Sequence, residues 1–104
     1  MWNVTGNNLQ MVEGDYGVEL PMTVSGPTFA AGDELKLTIK NGGDTLVEKT
    51  FSNISQNTIN FELTEEESAL LTPGTYAYVL DWYDSGVFLC NIIPEAVFKV
   101  VDKA

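Results

Sequence analysis

TEEESALLTPGTYAYVLDWYDSGVFLCNIIPEAVFKV, residues 64 to 100, is the stretch that decides the fold. It opens on Thr64-Glu65-Glu66-Glu67, a capping box in which the Thr64 hydroxyl accepts from the Glu67 backbone and the Glu67 carboxylate reaches back. Three carboxylates in one first turn also suit the positive end of a helix dipole. Ala69, Leu70 and Leu71 are expected to anchor this short helix on the core, and Pro73-Gly74 stops it. Thr75 to Asp84 then alternates as a long strand. Tyr76, Tyr78, Leu80 and Trp82 share one face, with Ala77, Val79, Asp81 and Tyr83 on the other. Asp84-Ser85-Gly86 turns the chain into Val87 to Ile92, and Ala96 to Val101 closes the domain.

The same grammar extends upstream. Thr58 to Leu63 buries Ile59, Phe61 and Leu63. Glu34 to Lys40 points Leu35, Leu37 and Ile39 inward and leaves Lys36, Thr38 and Lys40 to water. Asn41-Gly42-Gly43-Asp44 supplies a hairpin turn, and Thr45 to Ser52 returns with Val47 and Phe51 on the inner face. Val18 to Val24 puts Val18, Leu20, Met22 and Val24 together. Pro21 lacks an N–H for a ladder, which marks an edge or a bulge. Asn8 to Glu13 is a further strand, and residues 1–7 form an N-terminal arm, flexible or paired as a strand. Strand after strand with one short helix, at residues 64–71, predicts an all-β, immunoglobulin-like antiparallel β-sandwich, one domain over residues 1–104.

Composition narrows the chemistry. The 104 residues carry fifteen carboxylates against five lysines, a formal net charge of −10, which repels nucleic acid and anionic membranes. Histidine is absent, so Ser-His-Asp and Cys-His nucleophiles are excluded, as are histidine-containing zinc sites. No glycine-rich phosphate loop and no Asp-x-Asp-x-Asp-Gly calcium loop occurs. Asp81 and Asp84 are the nearest thing to a paired-carboxylate site and read better as turn formers; Asp33-Glu34 reads as solvated. The lone Cys90 reads as a small buried hydrophobe. No catalytic residue, metal ligand or cofactor is expected. Without a basic-then-apolar leader or a spanning apolar run, the chain is expected to be made in the bacterial cytoplasm. Tyr76, Tyr78, Tyr83 and Trp2 offer a stacking face for sugars only where they are not packing. The expected interaction surface comprises Trp2, Pro21 and Tyr83.

The ordered segments resemble a family. Gly14-Asp15-Tyr16 leading to Leu20-Pro21-Met22, then Leu35 to Lys40, Ile59 to Glu67, Leu71 to Leu80 and Phe98-Lys99-Val100, are similar to the phage baseplate and tail-fibre immunoglobulin-like domains, in particular the N-terminal domain of upper baseplate proteins. The resemblance implies a non-enzymatic structural module of a phage or prophage tail, present in the virion. Its partners would be other virion proteins or copies of itself, and no catalytic residues carry over. Members of that family continue into a fibre or trimerising segment, whereas this sequence stops at Asp102-Lys103-Ala104; a stand-alone protein and a trimmed piece are the alternatives. A bacterial surface or carbohydrate-binding module of the same fold is the other function the residues allow.

Overall fold

Alternation in β4 (Asp33–Asn41) sets the architecture. Leu35, Leu37 and Ile39 are completely buried on its inner face. They stand in register with Trp82, Leu80 and Tyr78 of β7 (Gly74–Asp84) on one side. On the other side they meet Phe51, Lys49 and Val47 of β5 (Asp44–Ser52). The computed structural model describes residues 3–24, 29–52, 54 and 57–102. With β1 (Asn3–Thr5), β2 (Asn8–Val12) and β8 (Val87–Val101), these strands form a six-stranded sheet in the order β1-β2-β8-β7-β4-β5. Facing it is a two-stranded sheet of β3 (Leu20–Thr23) and β6 (Thr58–Phe61). This is an all-β sandwich, with β8, β7, β4 and β5 in one layer and β3 and β6 opposite. One pairing departs from the all-antiparallel expectation: β2 runs parallel to β8, from Leu9 opposite Phe98 to Val12 opposite Val101. Asn3–Thr5 of the N-terminal arm pairs antiparallel with β2.

Rings bridge the layers. Phe98 meets Tyr78 and Phe61 edge-on, each at 6.4 Å between centroids, and all three side chains are fully buried. The Tyr78 hydroxyl donates to the Asn7 carbonyl, tying the β1–β2 turn to the core. Tyr76, near the start of β7, donates to the Thr72 carbonyl four residues upstream at 2.6 Å. This is the tyrosine corner of such sandwiches.

The crossover between layers is α1 (Glu65–Ala69). Both halves of its capping box are present: Glu67 N–H donates to Thr64 Oγ1 at 3.2 Å, and Thr64 N–H to Glu67 Oε1 at 2.9 Å. Glu67 also accepts from Lys49 Nζ at 2.8 Å. Lys49 stands on the inner face of the edge strand β5, so one carboxylate caps the helix and pins it to the larger sheet.

Several expectations need correction. The inward residues of the α1 segment are Ser68 and Leu71, one turn apart, while Leu70 is 55 % exposed and Ala69 is exposed. Thr38 is buried, because β4 is a central strand and Thr38 lies in register between Val79 and Glu48. Val87 to Val101 is one continuous strand across Pro94 rather than two.

Two titrations probe these anchors. Burial pushes the Tyr78 phenol up to about 12 from the usual 10. The unfolded chain therefore loses this proton first as pH rises. Stability is expected to fall from about pH 10 toward 12, by less in Tyr78→Phe, as read by urea unfolding. At neutral pH the same variant should cost about 1–3 kcal/mol, because it strips the Asn7 carbonyl of its donor. For Glu67, burial works toward a higher pKa, but the bonds from Lys49 and Thr64 outweigh it and hold the carboxyl below its ordinary 4.5. Its contribution is present above 4.5 and lost as pH falls through the lower folded value. The difference in urea midpoint between the wild type and Glu67→Gln is expected to shrink on acidification across that range.

Candidate interaction surface

β7 and β8 join through Ser85-Gly86, whose φ angles of 50° and 85° are those of a two-residue I′ hairpin loop. This tip is fastened to the loop before β4. Ser85 N–H donates to the Gly32 carbonyl at 3.0 Å. Gly32 has φ +93°, and a Cβ there would lie 3.2 Å from Ser85 Oγ, so the contact requires glycine. Asp33 is buried, with Oδ2 accepting from Ala30 N–H at 2.7 Å; it fixes the loop instead of being solvated. Phe29 packs edge-on against Trp82 at 5.2 Å.

Beyond this rigid tip, apolar side chains meet solvent. Val87 is 63 % exposed, Phe88 49 % and Leu89 47 %, and Cys90 is exposed as well. The expectation of a buried Cys90 inside a core strand is therefore overturned. Three register shifts on β8 break the alternation: Trp82 pairs with Cys90 and Tyr83 with Phe88, leaving Leu89 as an extra residue. The neighbouring strand is also missing. β2 accompanies β8 only from Phe98 to Val101, and Asn8 Oδ1 caps the Val97 N–H at 3.1 Å where that pairing ends. From Val87 to Val97 no strand lies on this side of β8 among the described residues.

On the outer sheet face, Phe88 packs edge-on to Tyr83 at 5.6 Å, and Lys36 Nζ sits 4.7 Å from the Tyr83 centroid. Lys36 is also 3.7 Å from a Glu48 oxygen. The cation and the second ring stiffen Tyr83 as one wall of an apolar ridge.

Of the residues expected at an interaction surface, Tyr83 belongs to this ridge. Pro21 is exposed on β3, in the other sheet, and the structure does not bring the two together. Trp2 lies outside the described residues. Tyr76 and Tyr78 are core residues and present no stacking face. Asp81 and Asp84 fall on opposite faces of β7, and Asp81 accepts from the Asn91 amide, so they do not flank a common substrate. The sequence alone does not mark Phe88, Leu89 or Lys36 as a surface site. The one signal for Phe88 and Leu89 is the unbroken apolar run before Asn91, which alternation cannot assign to a face. No family model, curated protein or solved structure matches the chain.

Solvent exposure makes the ridge dispensable for folding. Phe88→Ser and Leu89→Ser are expected to lower the unfolding free energy by about 1 kcal/mol or less. Phe98→Ala should cost about 3–5 kcal/mol. Urea unfolding of the three variants checks the contrast.

Proposed function

We propose that this chain is a non-enzymatic interaction module that assembles with a partner protein through the β7–β8 arm, as part of a phage or prophage tail. The observation that carries the reading is the solvent-exposed run Val87-Phe88-Leu89-Cys90, on the stretch of β8 whose outer edge no strand covers among the described residues. Exposed apolar side chains clustered beside unpaired backbone are a surface for association. A rigid mount suits that use, because little freedom remains to be lost on binding. Here the tip is held by the Ser85–Gly32 bond, the Phe29–Trp82 contact and the Lys36–Tyr83–Phe88 stack.

The tail setting rests on the ordered resemblance from Gly14 to Val101. In that setting the chain is carried in the virion, and it does its work by burying interface area. Another virion protein fits better than a second copy, since a net charge of −10 on each copy opposes self-association.

Biolayer interferometry against purified tail proteins of the source phage tests this. The wild type is expected to bind at least one of them. Phe88→Ser and Leu89→Ser should each weaken binding by about tenfold or more, the loss of one well-packed apolar anchor. A wild type that binds none of them, or ridge variants that bind as well as the wild type, would count against the reading.

A further inference from the structure

Asn41-Gly42 stands at the tip of the β4–β5 hairpin, and no other asparagine in the sequence precedes a glycine. The pair matters chemically because the backbone nitrogen after an asparagine can close a five-membered ring on the side-chain amide carbon. A side chain on the following residue obstructs that attack, and glycine has none.

The fold leaves both reacting groups free. The β4–β5 ladder ends with Asn41 opposite Asp44, so Gly42 and Gly43 form a two-residue loop. The backbone φ is positive at Gly42 (+62°) and not at Gly43, the pattern of a type II′ turn. The last pair makes its bonds between Asn41 and Asp44, which leaves the Gly42 nitrogen outside the ladder. Residues 41 to 44 are all exposed, and nothing lies within 4 Å of where a Gly42 Cβ would stand. The Asn41 side chain makes no hydrogen bond among the described residues. Elsewhere asparagine side chains are engaged: Asn8 accepts from Val97 N–H at 3.1 Å, Asn57 donates to the Val24 carbonyl at 3.0 Å, and Asn91 donates to Asp81. Asn60 is exposed, but Phe61 follows it and is fully buried. Ring closure also needs rotation about the Asn41 backbone. Its pair with Asp44 is the end of a ladder to an edge strand, where local opening takes little free energy.

We propose that Asn41 is a site of spontaneous modification, through attack of the Gly42 nitrogen on Asn41 Cγ. The N–Cγ bond forms, the Cγ–Nδ2 bond breaks, and the proton of the Gly42 N–H leaves with the side-chain nitrogen as ammonia. Water then opens the resulting succinimide. Addition at the side-chain carbonyl gives aspartate, and addition at the backbone carbonyl gives isoaspartate. Either product adds a carboxylate to a chain already at −10 and sets it across from Asp44, where like charges oppose pairing. Isoaspartate also inserts a methylene into the backbone, which takes the tip out of its turn geometry. Asp33, in register with Asp84 beside the Phe88–Leu89 ridge, is at the other end of the nine-residue β4. The modification therefore loosens the β4–β5 tip and is independent of the partner contact proposed above.

The test is storage of the full, folded chain at mildly acidic and mildly alkaline pH, followed by peptide mapping with mass spectrometry and labelling with protein isoaspartyl methyltransferase. Asn41 is expected to gain the mass of an NH2-to-OH exchange about tenfold or more faster than Asn60 or Asn91, with both products present. The rate should rise with pH, because the Gly42 nitrogen attacks after losing its proton. Asn41→Gln, which would have to close a six-membered ring, should remove the methyltransferase label; because the rates are read on the wild type, the outcome does not depend on that variant. An Asn41 that stays intact in the folded chain while it reacts in urea would overturn the inference, as would equal rates at Asn60 and Asn91.

Discussion

The whole structure depends on covering the inner face of β4 and β7. Leu35, Leu37, Ile39, Tyr78 and Leu80 are at most 1 % exposed, yet among the described residues the layer opposite consists of two four-residue strands and a single helical turn. Every other feature serves that coverage. Phe61 and Leu63 drop from β6 and its exit onto the core, Leu71 closes it after α1, and Glu67 holds the crossover against Lys49 so that these side chains stay in place. Glu67 serves two elements at once, as helix cap and as ion-pair partner. An exposed ion pair alone is worth little; what counts here is that the same carboxylate satisfies backbone at the helix start.

Coverage by so short a layer fails on one side, and the functional reading comes from that failure. β2 protects the base of β8 and then leaves at Asn8, whose side chain ends the pairing. Beyond that point β8 carries three bulges and Pro94, and no strand among the described residues covers its edge. Bulges and proline are ways of discouraging indiscriminate strand addition. The apolar side chains left exposed there are therefore better understood as a selective surface than as an aggregation liability.

Much of the fold was legible in the sequence because its information is local. Leu35-Lys36-Leu37-Thr38-Ile39 alternates, Thr64 and Glu67 stand at capping-box spacing, and Gly42-Gly43 marks a hairpin; each needs only neighbours within a few residues. What was not legible needs partners far along the chain. The parallel pairing of Leu9 with Phe98 has no local signature. Thr38 reads as a solvent position until β5 and β7 flank it. Val87 to Cys90 reads otherwise for a physical reason: a continuous apolar run reads as a buried strand, and only the place where β2 stops reveals that it is exposed. Of the expected surface residues, Tyr83 entered the ridge because it lies in register with Phe88, a pairing created by the Leu89 bulge.

The account's central claim is that β8 is protected along its base and open along its upper half. Native-state hydrogen exchange measures this directly. The amides of β4 and β7, and those of Phe98 to Val101, should exchange only through global unfolding. Between Val87 and Glu95, the amides facing away from β7 should exchange through local opening, orders of magnitude faster. Uniform slow exchange along all of β8 in the isolated chain would contradict the account.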